Sequence, residues 1–146
     1  MHPVRRLMSA TLATALVGAG AQATTHEVRM PNRGEAGVMV FEPAFIEAAP
    51  GNTLRFIATD RGHNAQGIEG MLPEGAAAFI SRPGDDFELT VTKEGIYGVK
   101  CTPHFAMGMV ALIQVGAADN LDAALDVKHR GKAAGVFENL FAQVRQ

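Results

Sequence analysis

The stretch FELTVTKEGIYGVKCTPHFAMGMVALIQV, residues 87–115, decides the fold. Phe87, Leu89 and Val91 alternate with Glu88, Thr90 and Thr92, the two-residue period of a half-buried strand. Glu94-Gly95 then turns the chain into Tyr97, Val99 and Cys101, and Met109 to Val115 is nearly continuous in apolar residues. A loop between the last two strands holds the only Cys of the chain.

Outward from this core, Leu54, Phe56 and Ala58 alternate with Arg55 and Ile57. Glu27 to Met30 and Val38 to Phe41 are short and apolar or alternating. Pro43 bends the chain into Ala44 to Ala48, and Pro50-Gly51-Asn52 supplies a turn. At least seven short strands predict an all-β Greek-key β-sandwich. No helical pattern separates them, which disfavours a parallel α/β fold. Gln66 to Gly84 is irregular and reads as a long surface connection. After Gly116 the period changes. Asp119 is the expected cap of a helix through Leu121, Ala124 and Leu125, stopped by Gly131. A second helix carries Val136, Phe137, Leu140, Phe141 and Val144 on one stripe. These two C-terminal α-helices, at about 119–145, cover the sandwich, since so few residues cannot build a second core.

The N-terminus reads differently. Arg5 and Arg6 precede an almost uncharged run from Leu7 to Gly20, and Ala21-Gln22-Ala23 is a small-residue cleavage site. Residues 1–23 are expected to be a cleaved signal peptide, with no membrane anchor left, and residues 24–146 a single exported domain. Loss of Arg5 and Arg6 takes the net charge from −2 to −4. With that charge, no Trp and a single Tyr, nucleic acid is excluded as a partner. One Cys forms no internal disulfide and cannot supply an iron–sulfur or multi-thiolate zinc site. An exported thiol with nothing to pair with needs a reason to persist.

That reason lies in its neighbours. His104 follows Cys101 by three residues and Met109 follows by eight, while His63 ends the Leu54–Asp60 strand in Asp60-Arg61-Gly62-His63-Asn64. One thiolate, two imidazoles and a thioether suit copper in both oxidation states, as in trigonal His₂Cys sites with a long axial Met. Each residue also has an ordinary role: Met109 and Met107 suit the core, and His26 and His129, without other ligand types beside them, read as surface or satisfied core histidines. Zinc is a competing ion, although Met is a poor zinc ligand. A Cys101–His104 nucleophile is a competing chemistry, although such pairs usually meet across a fold.

The Cys101–Met109 loop, the Asp60–Asn64 segment and Met39-Val40-Phe41-Glu42-Pro43 resemble the pseudoazurin family of bacterial periplasmic cupredoxins. The resemblance extends over Thr24 to Gln146, including the two helices. It implies a cupredoxin fold and one type 1 copper held by His63, Cys101, His104 and Met109. It further implies that Asn64 ties the two ligand loops together and that Met39 lies against the ring of His104. A docking surface is implied in which Arg33, Arg61, Arg82 and Lys100 flank Pro43, Pro103, Phe105, Ala106 and Met107. The expected function is that of a monomeric one-electron carrier, not an enzyme, with a copper nitrite reductase as acceptor and a c-type cytochrome as donor. The acidic mature charge departs from the more basic character of that family. A small copper-dependent oxidoreductase needs an open position or a second copper, for which His26 and His129 alone remain. A copper carrier or storage protein would rely on exposed, exchangeable Cys or Met clusters instead of a strand framework.

Overall fold

The computed structural model describes residues 23–146, so the expected signal peptide lies, but for Ala23, outside the described residues. In chain order the strands are β1 Thr25–Arg29, β2 Arg33–Gly34, β3 Gly37–Val38, β4 Phe45–Ala48, β5 Asn52–Ile57, β6 Gln66–Gly67, β7 Phe87–Val91, β8 Gly95–Lys100 and β9 Val110–Val115. Helices α1 Leu121–Asp126 and α2 Lys132–Phe141 follow. One sheet has the order β1-β5-β7 and the other β4-β9-β8-β6, while β2 and β3 form a small hairpin. The pairs β1–β5 and β4–β9 are parallel, so each joins strands distant in sequence.

The alternation in β5 sends Leu54 and Phe56 into the space between the sheets, where both are fully buried. They meet Val28, Val91, Tyr97, Val99, Cys101, Ala111 and Ile113 in the principal core. Burial of each large side chain contributes roughly 1.5–3 kcal/mol. The other face of β8 and β9 is covered as well. Ile96, Val110 and Leu112 pack there with Met71, Ala124, Ala133, Phe137 and Leu140. Burial on both faces explains the nearly unbroken apolar run of β9, as coverage on both sides does in sheets generally.

Four local expectations are corrected. Val38–Phe41 is not a strand: β3 ends at Val38, and Met39 takes a left-handed φ of 51°. The Gln66–Gly84 connection does not simply cross the surface. Met71 is fully buried, and a Cβ on Gly98 would lie 2.7 Å from its sulfur. Gly131 does not stop α1, which ends at Asp126; it immediately precedes α2 instead. Asp119 does not cap α1. Asn120 occupies that position, and its side chain leaves the helix end to bind strand β8. Its Nδ2 donates to the Ile96 carbonyl at 2.9 Å, and its Oδ1 accepts from the Ile96 N–H at 2.6 Å.

Those two bonds fasten the C-terminal helices to the sandwich. Asn120→Ala orphans both backbone groups of a buried strand residue, and should lower stability by about 1–3 kcal/mol. Denaturant unfolding of the two proteins measures the difference. A variant as stable as the wild type contradicts the clamp.

Candidate metal centre

Strands β5 and β8 carry the two segments that meet. His63 lies beyond the end of β5, and Cys101 follows β8 directly. The Cys101–Met109 loop closes on itself. Cys101 N–H donates to the Met109 carbonyl at 3.0 Å, and the His104 carbonyl accepts from Met107 N–H at 3.0 Å and Met109 N–H at 3.2 Å. Phe105–Met107 forms a single 3-10 turn ended by Gly108, whose φ of 92° suits a residue without Cβ.

The loop presents Cys101 Sγ 3.5 Å from His104 Nδ1 and 3.7 Å from His63 Nδ1, and the two nitrogens are 3.1 Å apart. All three donor atoms lie within 4.8 Å of one another, and among the described residues they form the one such His/Cys/Asp/Glu group. A first-row ion with bonds of about 2.0–2.1 Å to nitrogen and 2.3 Å to sulfur fits inside such a triangle. Cys101, His63 and Met109 are fully buried, whereas His104 is half-buried and reaches the surface. The donor set is therefore soft, compact and open along one edge.

Outer contacts orient the donors. Asn64 bridges the segments: its Oδ1 accepts from Thr102 N–H at 2.8 Å, and its Nδ2 donates to Thr102 Oγ1 at 2.9 Å. The Thr102 hydroxyl in turn donates a hydrogen bond to Gln66 Oε1 at 2.8 Å. Asn32 is a contributor that sequence reasoning missed. His63 Nε2–H donates to Asn32 Oδ1 at 2.7 Å, which leaves Nδ1 with its lone pair toward the other donors. Asn32 is held in turn, because its N–H donates to Asp60 Oδ2 at 2.7 Å and its carbonyl accepts from Met39 N–H at 2.8 Å. No local spacing links Asn32 with His63; the parallel pairing of β1 with β5 brings them together. Met39 packs against the principal core.

Burial pushes the Cys101 thiol above its ordinary range, against hydrogen bonds from the Asn64 and His104 backbone. Burial also lowers the proton affinity of His63, the nearby His104 adds to that effect, and Asp60 opposes it. His63 is thus suited to act as a neutral ligand. A metal taken up at neutral pH must displace the Cys101 proton.

The other histidines differ from expectation in one case. His26 Nε2 is satisfied by Asn52 Oδ1 at 3.0 Å, but His129 Nε2 is buried without a hydrogen-bond partner. Of the expected docking residues, Arg33, Arg61, Arg82, Pro43, Pro103, Ala106 and Met107 are exposed, and Lys100 and Phe105 are half-buried. Lys100 Nζ lies 5.3 Å from the centre of the Phe105 ring.

A two-sheet sandwich with one thiolate and two imidazoles at the ends of its strands defines a single-metal cupredoxin. Residues 28–116 match the family described as copper binding proteins, plastocyanin/azurin family. The pseudoazurin of Paracoccus pantotrophus is 50% identical over 144 residues, covering 98% of this chain and 97% of that protein. That of Methylorubrum extorquens is 43% identical, covering 95% of each. The crystal structure of pseudoazurin from Methylobacterium extorquens AM1 superimposes with a TM-score of 0.81 at 43% identity, covering 83% of this chain and 99% of that one. Native pseudoazurin from Hyphomicrobium denitrificans gives 0.80 at 39% identity, with coverage of 84% and 99%.

The chain belongs to the plastocyanin/azurin family of copper binding proteins and stands among its pseudoazurins. It is a type 1 copper electron carrier and not an enzyme.

Proposed function

We propose that His63, Cys101, His104 and Met109 hold one copper ion, and that the protein carries single electrons between redox proteins of the periplasm. The convergence of two Nδ1 atoms and one thiol sulfur on a rigid strand framework carries this reading. When bound, copper supplies the one-electron Cu(II)/Cu(I) couple. The chain supplies fixed donors: Asn32 orients His63, Asn64 joins the two ligand segments, and the fully buried Met109 brings a thioether from the start of β9. Held in this way, the donors shift little when the charge changes. His104, the one donor residue that reaches the surface, is the electron port.

Residues 1–23 serve as the export signal and Thr24 begins the mature domain; β1 starts directly after that point, at Thr25. The acceptor is a copper nitrite reductase and the donor a c-type cytochrome, both docking around His104. Met107, 45% exposed, and Ile80, 62% exposed, add apolar area to that end. Among the described residues, no ion pair engages Arg33, Arg61, Arg82 or Lys100, so their charges remain available to a partner. Small interfaces steered by charge suit rapid, transient exchange.

Arg61→Glu or Lys100→Glu should slow electron transfer to an acidic-faced reductase by roughly tenfold at low salt. The gap should close as salt shortens screening to about 8–10 Å. Stopped-flow rates unchanged by both reversals contradict this docking surface, while leaving the copper site untouched.

A further inference from the structure

The corner between α1 and α2 rests on the outer side of the ligand loop, and neither copper binding nor docking accounts for its composition. His129 lies 4.3 Å from the Phe137 ring at an interplanar angle of 31°, and meets Phe105 edge to face at 6.0 Å. Its Nε2 is buried and has no hydrogen-bond partner. Gly131 has a φ of 63°, and a Cβ there would lie 2.5 Å from the Ala106 carbonyl oxygen. A Cβ on Gly108 would lie 3.0 Å from Val136 and 3.3 Å from Lys132. Phe105, Ala106 and Gly108 therefore all lean on residues 129–136. With Met107 these three make up the span between His104 and Met109.

A histidine is an odd choice for such a wedge. A buried polar atom without a partner destabilises the fold, and an aromatic hydrocarbon would fill the same space without that cost. What histidine adds is a second charge state in the range where free imidazole titrates, near 6.5. Burial lowers the proton affinity of His129. Its surroundings do nothing to restore it. Lys128 and Arg130 flank it, Lys132 opens α2, and Lys100 lies over Phe105. Asp126 closes α1, and Glu138 shares with His129 a groove of about 330 Å³ lined also by Leu125, Val127 and Phe141. Among the described residues, no carboxylate forms an ion pair or hydrogen bond with the ring. A proton on His129 must be hydrated, and the adjoining groove gives the ring somewhere to turn.

We propose that His129 is a positioning residue for the copper loop: its neutral ring, wedged between Phe105 and Phe137, holds the 105–108 turn against α2, and a proton on that ring releases the turn. The proposal rests on the assignment of His104 and Met109 to copper only for its consequence at the metal; the grip on Phe105 is independent of it.

The test follows the Phe105 ring resonances and His129 Cε1–H by NMR in the Cu(I) protein, from about pH 8 to about pH 5, across the free-histidine value. Wild type is compared with His129→Phe and His129→Ala. In the wild type, Phe105 should shift with the His129 midpoint, which should fall below that of free histidine. In His129→Phe the step at the His129 midpoint should vanish, and Phe105 should respond only to release of the adjoining His104, whose own ring resonances are followed in the same titration. In His129→Ala, Phe105 should already occupy its acid position at neutral pH, and the visible band of the oxidised protein should differ from wild type. The inference is overturned if Phe105 shows the same step in His129→Phe as in wild type, or if it does not move as His129 titrates. If His129→Ala does not fold, the comparison of wild type with His129→Phe decides alone. A colourless protein in which Phe105 still follows His129 would refute the copper assignment and leave the wedge standing.

Discussion

Cys101→Ser should abolish the visible absorption of the oxidised protein and leave the sandwich folded. Sγ of Cys101 is fully buried and faces both Nδ1 atoms at 3.5 and 3.7 Å, so it is the soft donor of the site. Thiolate donation to copper gives blue-copper sites their character, and a serine hydroxyl, hard and reluctant to ionise, cannot replace it. Serine is nearly the same size, so the surrounding core need not collapse. Its buried hydroxyl should cost about 1–3 kcal/mol if it finds no partner. Visible absorption reads the site and far-ultraviolet circular dichroism reads the fold. A Cys101→Ser protein that stays blue contradicts the assignment of the thiolate.

Acidification of the reduced protein should detach His104 and leave His63 bound. Cu(I) tolerates three ligands, so a proton competes for an imidazole more readily in that state than in the oxidised one. The two imidazoles are unequal. His63 is fully buried, its Nε2 proton is committed to Asn32, and burial together with the neighbouring His104 lowers its proton affinity more than Asp60 restores it. A lowered value means that the bound, neutral His63 persists to more acid pH than free histidine would. His104 has an edge at the surface and no comparable hydrogen bond on its far side among the described residues. Once His104 takes up a proton, the reduction potential should rise as pH falls, with a slope approaching about 59 mV per pH unit for a one-electron couple. NMR of both ligand rings in the reduced protein, followed into mildly acid solution, separates them. Protonation of His63 before His104 contradicts the assignment of His104 as the electron port.

The sandwich and its donors were legible because each depends on short-range pattern. Alternation around Leu54–Phe56 and Phe87–Val91 marks strands whose one face is wet, and two of the three side chains that converge, Cys101 and His104, sit in a single loop. What stayed hidden depends on contacts between distant segments. Asn32 reaches His63 because of the parallel β1–β5 register, which no hairpin rule predicts. Asn120 abandons a helix-capping role for the backbone of Ile96, a choice fixed by how α1 lands on β8. Met71 is drawn out of a glycine-rich connection by the space above Gly98. His129, read as an ordinary histidine, is distinguished only by the two rings that enclose it and the absence of a partner for Nε2.

Titration of the metal-free protein with Cu(II), read by visible absorption and followed by voltammetry of the end product, tests the central claim most directly. Saturation at one copper per chain, an intense blue colour and one reversible one-electron wave are the predicted result. Uptake of more than one tightly held copper, retention of zinc alone under the same conditions, or a colourless complex without a reversible wave would contradict it.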